Sequence, residues 1–142
     1  MALFQNGIDV SRYQGNINWG RVAAAGKQFA IVRVGSGNSG GLYVDPYFLQ
    51  NVNGAKAAGL RVGAYYYTYA RTRAAVASEL TMFLNVMDGL QLEYPVFVDV
   101  EDSSLTSLGR AALTSLVQYA MDILYQRKWY AGWYSYTNYI NS

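Results

Sequence analysis

Two acidic side chains stand two positions apart in an otherwise apolar stretch, and this pattern suggests chemistry more strongly than any other in the sequence. They are Asp99 and Glu101, at the end of the run 94–101. Charged residues are rare in such strands, because burying an unpaired charge is costly. Side chains alternate along a strand, which puts both acids on one face with their Cα atoms about 6.5–7 Å apart.

Carboxyl groups this close disturb each other's ionisation. One of the pair should keep its proton near neutral pH while the other stays ionised. Hydrolysis of a glycosidic bond uses that division, with an acid for the leaving oxygen and a carboxylate for the developing positive charge. A third acid, Asp9, lies in another apolar run, 7–10, and adds a further carboxylate.

Two other interpretations of these acids stay open. A single acid at a strand end more often caps a loop or is solvated, and it is the presence of three such acids in a chain without histidine that favours catalysis. Clustered carboxylates also bind hard cations such as Mg²⁺ or Mn²⁺. A cation site would suit phosphoryl transfer, but the acids have no partner lysine or phosphate-binding loop.

The composition restricts both the chemistry and the partners. The 142 residues include neither histidine nor cysteine, which removes Ser-His-Asp and Cys-His catalysis and most zinc enzymes. Acid–base work therefore falls to Asp, Glu, Tyr or Lys, and we predict neither a metal nor a cofactor. The net charge is +2 without a basic track, so we predict no nucleic-acid partner. The fourteen tyrosines suit a sugar-facing cleft, although many could equally pack at element edges.

A glycine-rich segment, 35–40, matches the G-x-G-x-x-G pattern directly after an apolar run. A dinucleotide-binding fingerprint also requires a helix that opens on the loop and an acid about 20 residues further on. Residues 41–44 intervene before the next helical stretch, and 60–69 contains no acid. We therefore predict no nucleotide site.

Apolar runs alternate with helical stretches over residues 1–142, which we interpret as one domain. Strands are predicted at 7–10, 29–34, 61–68, 94–101 and 130–136. Helices are predicted at 19–25, 45–58 (Asp45 as N-cap, Pro46 at the first position), 73–87 (Thr72 as cap) and 107–126, with another from about 137. This alternation indicates an α/β fold with about five parallel strands, either an open doubly wound sheet or part of a barrel. In both, the site lies at the carboxyl ends of the strands.

Five short motifs extend over nearly the whole chain. They are residues 7–15 followed by Ile17-Asn18-Trp19, then 43–48, 59–67, 97–101 and 132–135. In this order and spacing they resemble the glycoside hydrolase family 25 lysozymes, and Asp99-Val100-Glu101 resembles the D-x-E signature of that family. The resemblance implies a partial (β/α) TIM-like barrel.

The resemblance also implies an activity and a set of site residues. The activity is cleavage of the β-1,4 bond between N-acetylmuramic acid and N-acetylglucosamine in peptidoglycan. Glu101 would be the general acid, Asp99 the partner that orients or stabilises, in part through the substrate's N-acetyl group, and Asp9 an electrostatic and positioning carboxylate. The implied substrate-binding residues are Tyr65, Tyr67, Tyr134 and Arg33. A non-catalytic module that binds wall saccharides is the alternative.

The sequence departs from the family pattern in two respects. Tyr66 stands where family members often have histidine, which should alter the groove more than the mechanism. The family carries further strands after the fifth, so we expect the C-terminal strands to be missing and the open edge to be covered by a second copy or a swapped element. Residues 1–6 do not resemble a secretion signal and no run is long enough to span a membrane, which suits a cytoplasmically made endolysin or autolysin acting on the bacterial wall.

Overall fold

Strands and helices alternate along the residues that the computed structural model describes, 6–37 and 41–135. The strands are β1 (Gly7–Val10), β2 (Phe29–Ser36), β3 (Tyr43–Val44), β4 (Arg61–Tyr67), β5 (Val96–Asp99) and β6 (Ala131–Tyr134). The helices are α1 (Trp19–Ala24), α2 (Phe48–Ala57), α3 (Arg73–Met87) and α4 (Arg110–Gln126), with short 3-10 helices at Arg12–Gln14 and Ser103–Leu108. None of the helices in these residues is both long and apolar enough to cross a membrane.

The sheet follows the order β1-β2-β4-β5-β6, and every neighbouring pair along this path is parallel. Each new strand therefore joins the same side of the sheet. A doubly wound sheet reverses direction at a switch point, whereas a barrel keeps adding strands in one direction. The observed strand order is that of a barrel segment and not that of a doubly wound sheet. The two-residue strand β3, which pairs antiparallel with β2, was not predicted.

One face of the sheet is apolar and covered by helices. Alternate residues of the central strands are fully buried there, as the period of two requires: Ala30, Val32, Val34, Val62, Ala64, Tyr66, Val96 and Val98. Apolar stripes of the helices pack on them, including Val52, Ala55, Leu80, Phe83, Met87, Ala120 and Leu124. Helical residues at spacings of three and four form such stripes. Burial of this interface anchors the strands so that their other face is free for polar residues.

The opposite face, which we call the inner face, alternates bulky side chains with glycines on the neighbouring strand. A Cβ at Gly7 would collide with the Phe29 ring, and a Cβ at Gly132 would lie 2.9 Å from the Phe97 ring. At Gly63 a Cβ would lie 2.7 Å from the Pro95 carbonyl oxygen. Barrel interiors commonly pair small and large residues in this way. The glycines therefore make room for aromatic rings beneath the polar end of the face.

Several predicted elements differ at their ends from the structure. Helix α2 begins at Phe48, and the N-cap prediction for Asp45 is wrong, because the N-cap position belongs to Tyr47. Strand β5 ends at Asp99, so Glu101 lies beyond the ladder. The long helix predicted from 107 is split at Gly109, whose φ of 81° breaks a 3-10 helix from α4. The helix predicted from 137 lies outside the described residues.

Other predicted boundaries agree closely. Helix α3 spans the predicted residues, and the Thr72 side chain accepts a hydrogen bond from the Ala75 N–H at 3.1 Å. Strand β1 likewise spans the predicted residues. The helix cap is a contact within three residues of sequence, and the strand is recognised from four adjacent residues although its ladder pairs it with β2. Short local patterns of this kind are the most direct to predict from sequence.

We predict that Gly63→Ala destabilises the fold by about 1–3 kcal/mol, the usual cost of overpacking a tight site. The added methyl group would press on the Pro95 carbonyl and the Ile31 side chain at 2.7 and 2.9 Å, and backbone cannot easily yield. Urea denaturation with both variants measures the free energy of unfolding. The control is Gly20→Ala in helix α1, where the nearest atom is 3.4 Å away and alanine favours the helix. Equal stability of Gly63→Ala and wild type would contradict the proposed packing.

Candidate active site

Asp9, Asp99 and Glu101 meet at the inner face. Asp9 extends from β1, whereas Asp99 ends β5 in register with Tyr67 of β4 and Tyr134 of β6. Glu101 is within hydrogen-bonding reach of Asp99, and the charges of both Glu101 and Asp9 act on the Asp99 carboxyl. The structure therefore brings the three acids singled out in the sequence into one cluster. Asp9 is exposed, Glu101 is half-buried and Asp99 is buried.

Asp99 is the deepest of the three acids, with 3% of its surface exposed. Its Oδ1 atom is buried and has no hydrogen-bond partner among the described residues. Loss of hydration, the neighbouring Glu101 and the charge of Asp9 together raise the pKa of Asp99 to about 8. A carboxyl group in such surroundings favours its neutral form. The Asp99–Glu101 pair thus holds a proton at neutral pH.

Aromatic rings form a wall beside the acids. The ring centroids of Tyr65 and Tyr134 are 6.2 Å apart, and Phe97 meets Tyr134 edge-on at 5.8 Å. Burial is the main cause that raises the pKa of Tyr65 to about 12, and burial together with Asp99 raises the pKa of Tyr134 as well. Both phenols therefore stay protonated and can donate hydrogen bonds. Flat rings with a polar tip suit contact with a sugar.

Tyr67 supports the segment that carries Glu101. Its hydroxyl group donates a hydrogen bond to Asp102 Oδ1 at 3.2 Å, and its ring lies 5.2 Å from the Tyr69 ring. Asp102 also caps the following 3-10 helix by accepting from the Ser104 N–H at 3.0 Å. Partial burial acts to raise the pKa of Asp102, but hydrogen bonds from Ser104 and the two tyrosines outweigh it and lower the pKa. Asp102 is thus an ionised anchor immediately after Glu101.

A buried glutamate holds the other side of this tyrosine pair. Glu79 of α3 accepts hydrogen bonds from Thr68 Oγ1 at 2.6 Å and from the Tyr69 N–H at 3.0 Å. Burial raises the pKa of Glu79 despite these two donors. Sequence reasoning missed Glu79, Tyr69 and Asp102. An acid directly following the D-x-E motif was a usable signal for Asp102, whereas Glu79 is one of several polar residues in an amphipathic helix.

Arg33 forms an ion pair that the sequence did not predict. Its Nε atom donates to Asp45 Oδ2 at 3.0 Å, and the Asp45 side chain is completely buried. Asp45 also accepts from the Arg12 N–H at 2.9 Å and the Tyr47 N–H at 2.8 Å. A buried charge needs such partners, and the Arg33 ion pair and the two backbone N–H groups supply them. Arg33 stands next to Tyr65 in register, and its charge acts on that phenol.

All seven residues singled out in the sequence are thus placed on or beside the inner face. Asp9, Asp99, Glu101, Tyr65 and Tyr134 influence one another directly. Tyr67 and Arg33 are mainly engaged in supporting contacts with Asp102 and Asp45. In the part of the chain that the structure describes, no group of three or more acidic residues is arranged to hold a metal ion. The arrangement can donate a proton and stabilise a positive charge beside an aromatic wall.

Comparison with known proteins shows which family the chain resembles. The chain matches the family described as Glycosyl hydrolases family 25 over residues 8–142. It is 38% identical over 102 residues to YegX of Escherichia coli K12, which takes in 68% of this chain and 36% of that protein. It is 29% identical over 133 residues to the autolytic lysozyme of Clostridium acetobutylicum, which takes in 94% of this chain and 39% of that protein.

A solved structure shows the same fold. The modular autolysin LytC of Streptococcus pneumoniae superposes with a TM-score of 0.81 at 22% identity, over 95% of this chain and 33% of that one. The chain spans 33–39% of the length of these three relatives. The family match takes in residues of every described strand and helix. The chain therefore belongs to glycosyl hydrolases family 25.

Proposed function

We propose that this chain is the catalytic part of a muramidase that hydrolyses the β-1,4 bond between N-acetylmuramic acid and N-acetylglucosamine in peptidoglycan. The observation that carries the proposal is the Asp99–Glu101 pair, one acid buried and one half-buried, with Asp9 beside it. Family membership supports it, as does the relative named an autolytic lysozyme. Two carboxyl groups with different surroundings are what glycoside hydrolysis requires.

Glu101 is the general acid in this proposal. It is the more accessible member of the pair and lies beyond the end of β5, where a bound glycan can reach it. The proton held by the pair passes through Glu101 to the glycosidic oxygen, which leaves with the electrons of the C1–O bond. A water molecule then adds to C1, and its proton returns to the carboxyl pair. Positioned proton transfer of this kind contributes about 10²–10⁴-fold to a rate.

Asp99 and Asp9 stabilise the reacting sugar. The buried Oδ1 of Asp99 lacks a partner among the described residues, so a hydrogen bond from the acetamido N–H of the substrate would satisfy it. That contact would orient the acetamido group beside C1 and stabilise the positive charge that develops there. The exposed Asp9 adds negative charge to the same space.

The aromatic wall and its supports bind and position the glycan. Tyr65 and Tyr134 present rings and protonated hydroxyls to the space over the acids on the inner face, which we propose as the glycan-binding cleft. Tyr67 and Arg33 complete the groove while their polar groups hold Asp102 and Asp45. Substrate-contacting residues held by such bonds keep their geometry without the substrate, which lowers the cost of binding.

We predict that Glu101→Gln lowers the rate of wall hydrolysis by about 10²–10⁴-fold, because the amide cannot donate the catalytic proton. Clearance of purified cell walls, followed by turbidity, measures the effect. The matched control is Glu93→Gln, which removes an exposed carboxylate that lies 3.6 Å from Lys56, in the segment before β5. This control should hydrolyse walls at the wild-type rate. If wild type and Glu101→Gln both bind walls and neither clears them, the chain is a saccharide-binding module instead.

We predict that the stability of the protein declines as the pH rises from about 4 to about 8, in part because of Asp99. Burial and the neighbouring acids raise the pKa of Asp99 to about 8 in the folded state. An unfolded aspartate has a pKa of about 3.9, so the folded protein binds more protons between the two values. The contribution of Asp99 is complete below the lower value and is lost as the pH rises through the upper one.

Asp99→Asn should flatten this decline, since an amide does not titrate. Thermal unfolding midpoints between pH 4.5 and 9 provide the measurement. Asp88→Asn, which changes an exposed aspartate at the end of α3, serves as the control and should keep the wild-type slope. An Asp99→Asn midpoint that follows the wild-type pH dependence would contradict the buried, protonated Asp99.

The proposed activity places the site of action at the bacterial cell wall. Peptidoglycan lies outside the cytoplasmic membrane, so the protein has to reach that side. We propose release after synthesis in the cytoplasm, the route of a bacteriophage endolysin. The relative named an autolytic lysozyme supports action on a wall without deciding the route.

We also propose that the open sheet edge is covered by a second copy or a swapped element. Among the described strands, β1 and β6 are each paired on one side only. Trp133 of β6 is 46% exposed. Unpaired backbone groups beside an exposed apolar side chain favour pairing with another chain.

We predict that light scattering will detect a concentration-dependent dimer. Trp133→Lys should shift the protein towards the monomer, because a charged residue on an edge strand opposes pairing. Leu49→Lys on α2, which changes an apolar residue that is also exposed, is the control. A compact wild-type monomer at high concentration would contradict the proposal.

A further inference from the structure

Two arginines and two tyrosines form a cluster beside the cleft, which we call the Arg–Tyr cluster: Arg12, Tyr13, Arg33 and Tyr43. The Arg12 guanidinium carbon lies 5.3 Å from the centroid of the Tyr13 ring and 4.9 Å from that of Tyr43. The Arg33 guanidinium carbon lies 5.3 and 5.6 Å from the same two rings. Both guanidinium groups therefore share one pair of rings.

The cluster carries an uncompensated positive charge. Asp45 forms its ion pair with Arg33 and is completely buried. Arg12 contacts Asp45 only through its backbone N–H, and its guanidinium group has no carboxylate within ion-pair distance among the described residues. The side chain of Arg12 is exposed, and Tyr13 beside it is 75% exposed. The two cations also lower the pKa of Tyr13, Arg12 more than Arg33.

Two buried polar atoms in the cluster lack partners. Arg33 Nη2 and Tyr43 Oη are buried and form no hydrogen bond with the described residues. Buried donors are normally satisfied, and an unsatisfied one is costly. The Arg33 guanidinium carbon lies 5.6 Å from the centroid of the Tyr43 ring, so the two atoms belong to neighbouring side chains. An acceptor oxygen seated against the cluster would meet this need.

The cluster is continuous with the cleft. Arg33 is the register partner of Tyr65, one of the tyrosines beside the acids, and its charge acts on that phenol. Tyr13 in turn acts on Tyr69, the ring partner of Tyr67. A glycan strand held against the tyrosine wall would therefore carry its substituents past Arg12.

We propose that the Arg–Tyr cluster is an anion-binding subsite that takes a free carboxylate of the peptide attached to the glycan strand. The inference rests on the proposed function, because it assumes that the cleft holds a peptide-bearing glycan. A guanidinium group stacked on rings leaves its edge free, and that edge matches the two oxygens of a planar carboxylate. A subsite that binds only neutral sugar hydroxyls does not require a net positive charge.

Calorimetric titration of soluble, peptide-bearing disaccharide oligomers tests the proposal. The titrations use the Glu101→Gln background, so that cleavage does not consume the ligand. A second set of oligomers has its carboxylates converted to neutral amides. We expect Arg12→Gln to raise the Kd for the untreated oligomers roughly tenfold, as loss of a charge-assisted pair does. The same substitution should leave the Kd for the amidated oligomers unchanged.

The controls separate charge from structure. Arg12→Lys keeps the charge without the planar fork and should restore part of the affinity. Arg127→Gln removes an exposed arginine between α4 and β6, at the opposite edge of the sheet, and should leave both Kd values unchanged. A lower unfolding midpoint for Arg12→Gln than for its parent protein would identify a folding defect. The test then depends on Arg12→Lys, which must bind untreated oligomers more tightly than amidated ones.

Three results would overturn the inference. If Arg12→Gln weakens the binding of untreated and amidated oligomers equally, Arg12 is a structural residue of the groove. If the substitution weakens the binding of neither, the cluster does not bind the peptide carboxylate. Wall binding that Arg12→Gln weakens only while phosphate-containing polymers are present would assign the cluster to phosphate. Hydrolysis by the wild type is measured separately, so a failure of the muramidase proposal is distinguishable from a failure of the subsite.

Discussion

Asp99 occupies surroundings that oppose its ionisation, and the rest of the site is arranged around that fact. The fold removes its carboxyl group from water and places Glu101 within hydrogen-bonding reach of it, with Asp9 near enough to add charge. Water would hydrate each acid separately and leave all three ionised at neutral pH. Burial of one member couples the pair, so that it retains a proton on the inner face at neutral pH.

The fold can maintain this arrangement because the two faces of its sheet have separate roles. The helix-covered face contains nearly all of the apolar burial and fixes strand order and register. The inner face can then expose acids and phenols at its carboxyl end. Pairs such as Gly132 with Phe97 let large rings fit on that face without forcing the strands apart. The apolar packing and the acid cluster therefore lie on opposite sides of the same strands.

Three further carboxyl groups, two buried and one partly buried, hold the loops around the cluster. Glu79 fixes the turn after β4, and Asp45 joins the backbone of the first 3-10 helix to Arg33 of β2. Asp102 ties the segment after β5 to Tyr67. Each of these carboxylates accepts more than one hydrogen bond, which offsets the cost of its burial. The cluster of Asp9, Asp99 and Glu101 thus lies at strand ends whose neighbouring loops are anchored by separate acids.

The α/β alternation, the parallel strands and the family resemblance all follow from the amino-acid sequence, because apolar periodicity, caps and short motifs are patterns of neighbouring residues. The sequence also singled out Asp9, Asp99 and Glu101, since acids in apolar strands are conspicuous. The pattern of apolar runs left a barrel segment and a doubly wound sheet open, and the strand order of the folded chain favours the barrel that the resemblance implied. The pairing of Asp45 with Arg33 became visible only in the folded chain. Strand order and buried ion pairs join residues that are distant along the chain. Their energies depend on three-dimensional packing that no local pattern encodes.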